Sequence, residues 1–170
     1  MIGLGLVKKS LVRHFTATGF LVNDCKVLLH WHAKVEAWLP PGGHINANED
    51  PEQAVLREIM EETGFKAEVV DQGPIIDFEY PKQVPSPLTI MVEDIHDPTE
   101  GFHQHIDMIY VCRLIGPDFP LKAGWQWVNK SQLLNGELLD RGDGKNFRPP
   151  KDVIRLAEYA LQMVDENFNL

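Results

Sequence analysis

The chain reads as an α+β protein, a mixed β-sheet with helices on its faces. Three observations predict this. Runs rich in β-branched and aromatic residues stand on both sides of residues 51–63, a strand signature. The segment between them carries the start and stop signals of a helix. After Pro149-Pro150, Val153, Ile154, Leu156, Ala157, Ala160, Leu161 and Val164 recur at helical spacing, so a second helix closes the chain. With 170 residues and 44% apolar content the chain is of single-domain size, residues 1–170, with one substantial core.

Taken in order, residues 12–22 (VRHFTATGFLV) and 26–31 are strands joined at Asn23-Asp24, which reads as a hairpin. Trp38-Leu39-Pro40-Pro41 leads into Gly42-Gly43, where the backbone can approach a ligand closely. Residues 67–70 and 75–80 are predicted strands around Gly73-Pro74, and residues 81–87 a proline-bearing loop. Residues 88–92 and 106–114 are strands, separated by a polar connection from Glu93 to His105. Trp125, Trp127 and Val128 alternate as a short strand, and a helical turn follows at 130–134.

The helix at 51–63 is the best defined element. Asp50 is a good N-cap, Pro51 fits the first helical position, Gln53 completes a capping box and Gly64 suits a left-handed C-cap. At about 100° per residue, Glu58, Glu61 and Glu62 share one arc and Val55, Leu56, Ile59, Met60 and Thr63 the adjoining one. Like charges three and four apart each destabilise a helix by about 0.2–0.5 kcal/mol. A cation removes that penalty, and hard oxygen donors suit Mg²⁺, Mn²⁺ or Ca²⁺ better than zinc.

An acidic helix face alone is ordinarily a solvated surface. Here it sits inside a longer pattern, G-x5-E-x7-R-E-U-x-E-E-x-G-U with U a bulky apolar residue, supplied by Gly43, Glu49, Arg57, Glu58, Ile59, Glu61, Glu62, Gly64 and Phe65. Through this unbroken motif the sequence resembles the Nudix hydrolases. The resemblance implies a three-layer α/β/α sandwich with a mixed β-sheet, and Mg²⁺ (Mn²⁺ as an alternative) held by Glu58, Glu61, Glu62 and the Gly43 carbonyl. It also implies an Arg57–Glu49 ion pair that holds the loop against the helix, with Arg57 beside the three carboxylates and not among them. Residues 1–10 and 134–148 are outside what it explains.

Other residues invite roles around this centre. His103, His105 and Asp107 alternate, so on a strand they point to one face. They are candidate substrate contacts, a further metal ligand or a proton acceptor, with Glu93 and Glu100 competing for the same task. The connection from Glu93 to Asp107 is expected to be a lid over the acidic helix face. His30, His32 and His44 flank the motif within reach of phosphate. Trp38 and Tyr80 are candidate base-stacking residues alongside Trp31 and Phe78, and Pro81, 16 residues beyond Phe65, resembles the ADP-ribose subgroup of the family.

The resemblance implies a metal-dependent pyrophosphohydrolase that cleaves a diphosphate linkage in a nucleoside diphosphate derivative: ADP-ribose, an ordinary or oxidised nucleoside triphosphate, or a dinucleoside polyphosphate. Glu58, Glu62 or a residue from His103 to Asp107 would be the base. The alternative is a nucleotide-ligand sensor that keeps the fold without catalysis. A formal charge of −9 argues against duplex nucleic acid as a partner. No stretch has the length of a membrane span. Met1–Val7 is apolar but followed, not preceded, by Lys8 and Lys9, unlike a signal peptide. Two cysteines, Cys25 and Cys112, lack metal-ligand spacing and are expected to be buried or partly buried free thiols. A cytoplasmic monomer or homodimer is expected.

Overall fold

The structure, a computed structural model, describes residues 11–71, 73–74 and 76–167. The run Met1–Val7 therefore lies outside the described residues. The elements are β1 (Arg13–Asn23), β2 (Lys26–His32), β3 (Ala37–Leu39), β4 (Gly42–His44), α1 (Pro51–Thr63), β5 (Ala67–Val69), β6 (Thr89–Asp97), β7 (Gly101–Leu114), β8 (Trp125–Asn129), α2 (Lys130–Leu134), β9 (Leu139–Asp140), β10 (Asn146–Phe147) and α3 (Lys151–Asn167). One sheet runs β3-β2-β1-β7-β5, with β4 on β1, β6 on β7 and β8 on β2. β1 and β7 are parallel from Arg13↔Gln104 to Val22↔Arg113, and the other pairs in this sheet are antiparallel. The sheet is therefore mixed.

Strand alternation divides the apolar residues between two cores. Ala17, Leu21, Tyr110 and Cys112 pack with Ala54, Val55 and Ile59 of α1. Phe20, Val22, Ile109 and Val111 point the other way, against Leu133 of α2 and Val153, Ala157, Ala160 and Leu161 of α3. This is the expected three-layer α/β/α sandwich. Val55 and Ile59 are fully buried, and each contributes about 1.5–3 kcal/mol relative to an exposed position.

The α1 ends follow the sequence. Asp50 Oδ1 accepts from Gln53 N at 2.9 Å and Gln53 Oε1 accepts from Asp50 N at 3.0 Å. Gly64 closes the helix at φ 84°, a conformation that costs glycine nothing. Lys122 Nζ donates to the Glu62 carbonyl at 2.7 Å, a cation where the helix dipole favours one. The β1–β2 hairpin turns through Asp24 and Cys25, both at positive φ, as a two-residue primed turn requires.

Three expectations need correction. Residues 76–80 are not a strand; Ile75 lies outside the described residues. The Gln83 side chain takes their place in the hydrogen bonding, accepting from Ile76 N at 3.1 Å and donating to the Pro74 carbonyl at 2.7 Å, so no ladder is needed. The connection from Glu93 to His105 is not a loop but the far half of a long hairpin, β6–β7, whose turn is residues 98–100. On β6, Glu93, Ile95 and Asp97 share the half-buried face and Asp94 and His96 the exposed one, and Asp97 Oδ1 closes the turn by accepting from Thr99 N and Glu100 N at 2.7 and 3.1 Å. Cys112 is buried, but Cys25 is exposed because it sits in the hairpin turn.

α1 comes unusually close to β1 at Gly19, where an added Cβ would stand 2.8 Å from both Ile59 Cδ1 and Val55 Cγ2. Gly19→Ala is expected to lower stability by about 1–3 kcal/mol through overpacking. A urea titration with unchanged slope and a lower midpoint is the expected readout.

Candidate active site

The acidic face of α1 is organised by one arginine. Arg57 Nε and Nη2 donate to Glu49 Oε1 and Oε2 at 2.8 and 3.0 Å, a two-pronged fork. Its Nη2 also reaches the His44 carbonyl at 3.0 Å. Nη1 turns toward the other carboxylates, to Glu58 Oε1 at 2.6 Å and Glu61 Oε2 at 3.2 Å. Arg57 is thus partly among the carboxylates and not merely beside them, because positions one and four along the helix lie within its reach. The fork holds the Glu49 carboxyl below its ordinary pKa and raises that of the Arg57 guanidinium.

Glu58 is mostly covered and Glu61 largely exposed. Glu62 Oε2 accepts from Gly42 N at 3.3 Å, and burial, opposed in part by that bond and reinforced by Glu58, pushes its pKa up to about 7. At Gly43 an added Cβ would stand 2.6 Å from Glu58 Oε1. The Gly43 backbone therefore lies directly against the Glu58 carboxylate, and a side chain there would have to push that carboxylate aside. Three carboxylates and a close-packed glycine backbone form an oxygen donor set of the kind that suits Mg²⁺ or Mn²⁺.

A cleft of about 940 Å³ opens beside Glu62 on the α3 side of the sheet, large enough for a nucleotide-sized ligand. Its floor comes from β1, β7 and β6 in register: Thr16 lies opposite Asp107 and Glu93 opposite His105, with His14 opposite His105 just beyond the lining. Thr16 and Thr18 hydroxyls donate to the two Asp107 oxygens at 2.9 and 2.8 Å. Burial nevertheless raises the Asp107 pKa, against those bonds. Burial also raises that of Glu93, with Asp107 and Asp152 adding to it. His30 stacks on Trp125 with ring centroids 4.4 Å apart, and burial lowers its pKa to about 4. At the mouth, Lys34 pairs with Asp97, tying the β2–β3 turn to the hairpin tip.

A family model for the NUDIX domain matches residues 12–148. The chain belongs to the Nudix family. It is 30% identical to a NUDIX-family hydrolase from Clostridium perfringens, over 91% of this chain and 99% of that one, with a TM-score of 0.71. It is 42% identical over 147 residues to a Caenorhabditis elegans protein that carries the name nudix hydrolase 1, covering 82% of this chain and 32% of the relative. The chain thus spans about a third of the length of that curated relative. A MutT protein from Methanosarcina mazei Go1, 18% identical with a TM-score of 0.55 over 92% of this chain and 96% of that one, shares the fold. Among the described residues no helix is long and apolar enough to cross a membrane.

The structure brings Gly43, Glu49, Arg57, Glu58, Glu61 and Glu62 of the Nudix motif together, and sets His103 and His105 in the cleft that Glu62 lines. Trp38 is not a stacking surface: it is fully buried in the α3-side core, because its strand faces inward at that position. Tyr80 stands 88% exposed in the irregular 76–87 segment and does not line the cleft. Thr16, Thr18 and Asp152 line it without having been singled out. Alternation along β1 carries the first two, but their meeting with Asp107 depends on a parallel pairing that no local pattern encodes.

A raised carboxyl pKa favours the folded state in its acid form, so the Glu62 contribution is present below about 4.5 and lost as pH rises through about 7. Without divalent cations, Glu62→Gln is therefore expected to melt higher than the wild type at pH 8, with the gap closing toward pH 4. Thermal melts across that range check it.

Proposed function

We propose that this Nudix chain is a Mg²⁺-dependent pyrophosphohydrolase, with Mn²⁺ as an effective substitute, that cleaves a diphosphate linkage in a small nucleoside diphosphate derivative of the ADP-ribose or nucleoside triphosphate type. The observation that carries this reading is the set of Glu58, Glu61 and Glu62, braced by the Arg57–Glu49 fork, with the Glu58 carboxylate against the Gly43 backbone. Glu58, Glu61, Glu62 and the Gly43 carbonyl would hold the ion. Bound there, a divalent cation supplies positive charge to the diphosphate oxygens.

The chain's own residues do the rest. Arg57 and Glu49 position the carboxylates and the loop that follows β4. Thr16 and Thr18 occupy both Asp107 oxygens, which makes Asp107 a poor proton acceptor. Glu93, whose pKa burial raises, is better suited to take a proton from water attacking within the cleft. His105, held near pKa 4 chiefly by burial, is neutral at pH 7 and adds no charge to the cleft beside Glu93.

A phosphate-release screen over nucleoside diphosphate derivatives, with Mg²⁺ and with Mn²⁺, tests the reading. Turnover that Glu61→Gln or Glu62→Gln largely removes, with unchanged circular dichroism, is the expected result. Ligand binding with no turnover of any substrate would make the chain a sensor instead.

Arg57→Lys keeps the charge but loses the fork, and is expected to cost about 10–100-fold in turnover or metal affinity, the usual effect of disturbing groups that orient metal ligands. Steady-state kinetics against Mg²⁺ concentration measure it. Glu93→Gln should flatten the acidic limb of the pH–rate profile, because a base of raised pKa must be deprotonated to act.

A further inference from the structure

Beyond the carboxylate centre, the sheet carries a second donor set of different chemistry at the edge of the cleft, with two of its three residues in the cleft lining. His14 on β1 and His103 and His105 on β7 each present a ring nitrogen, and the three nitrogens lie within 4.8 Å of one another. His103 is 4% exposed. Its Nδ1 faces the Gly101 carbonyl at 3.1 Å, so Nδ1 carries the proton and Nε2 presents a lone pair. That lone pair meets His105 Nε2 at 3.3 Å. Zn–N bonds of about 2.0–2.1 Å put neighbouring ligands of a tetrahedral ion about 3.3–3.4 Å apart, the spacing of the His103–His105 pair, and the His14 nitrogen, within 4.8 Å of both, closes on the ion by a small ring movement. His44 Nε2 lies 3.1 Å from His14 Nδ1 and so steadies the third ring from behind. A backbone carbonyl behind one imidazole and a polar partner behind another are the supports that metal-binding histidines require.

We propose that His14, His103 and His105 form a binding site for a borderline divalent transition ion of the zinc type, separate from the oxygen site on α1. Imidazole donors select zinc, nickel, copper or iron over magnesium. In the absence of an ion, one proton must be shared between the facing His103 and His105 nitrogens, and the ion takes the place of that proton. Three protein ligands leave a coordination position. His103 and His105 line the same cleft as Glu62, so an anionic oxygen of a bound ligand can fill it.

The test is retention of Zn²⁺ by the full chain after dialysis in excess Mg²⁺, read by elemental analysis, with Co²⁺ absorption as a report on the donor atoms. One Zn²⁺ per chain is expected to remain, and bound Co²⁺ to show the intense visible bands of a low-coordinate nitrogen site. His14→Gln and His105→Gln, at partly exposed positions, are expected to weaken Zn²⁺ binding by at least about tenfold, while Glu61→Gln leaves it unchanged. Should either histidine variant fail to fold, Zn²⁺ titration of the wild type followed by histidine-ring nitrogen NMR decides instead. His14, His103 and His105 signals should move with Zn²⁺ and stay in place with Mg²⁺. Zn²⁺ displaced by Mg²⁺, retained equally by His105→Gln, or lost in Glu61→Gln would overturn the proposal.

Discussion

Arg57 uses different faces of one guanidinium to satisfy groups that would otherwise repel or drift. Two nitrogens grip Glu49 at 2.8 and 3.0 Å, one of them also reaching the His44 carbonyl, and the third nitrogen spans Glu58 and Glu61. The helix thereby keeps three carboxylates on one arc although their mutual repulsion works against it. The strand β4, carrying Gly43, is fixed to the same helix. A lysine offers one compact ammonium and cannot hold both sides of that junction. One side chain thus touches both the acidic face and the β4 backbone.

A second constraint comes from the parallel β1–β7 pair. Along β1 the residues facing α3 run His14, Thr16, Thr18, then Phe20 and Val22; along β7 they run His103, His105, Asp107, then Ile109 and Val111. Both strands change from polar to apolar along this run, β7 one pair earlier than β1, since Ile109 lies opposite Thr18. The apolar half is covered by α3 and becomes core, and the polar half is left as the floor of the cleft. Burial at that floor is deep enough to move the pKa values of Glu93, His105 and Asp107, so its hydrogen bonds act in a setting where they count for more than in water.

Legibility in the sequence followed the range of the interactions. The caps of α1, the spacing of Glu58, Glu61 and Glu62 and the apolar stripe of α3 are local, and the structure reproduces them. The fork between Arg57 and Glu49 spans eight positions and was still recoverable from the motif. The β6–β7 hairpin was misread because acids and histidines in a row resemble a loop when only composition is weighed, although the period of two was present. Trp38 was misplaced because a three-residue strand gives no phase from which to assign its inward face. His14 was overlooked for a different reason: its meaning depends on lying opposite His105, 91 residues away, and a parallel register has no signature in either strand alone.

The most direct measurement of the central claim is anomalous diffraction from crystals soaked in Mn²⁺. The account predicts an anomalous peak bounded by carboxylate oxygens of Glu58, Glu61 and Glu62 and the Gly43 carbonyl, with the Arg57–Glu49 fork intact beside it. Mn²⁺ bound elsewhere, with those carboxylates still engaged only by Arg57 and solvent, would contradict it.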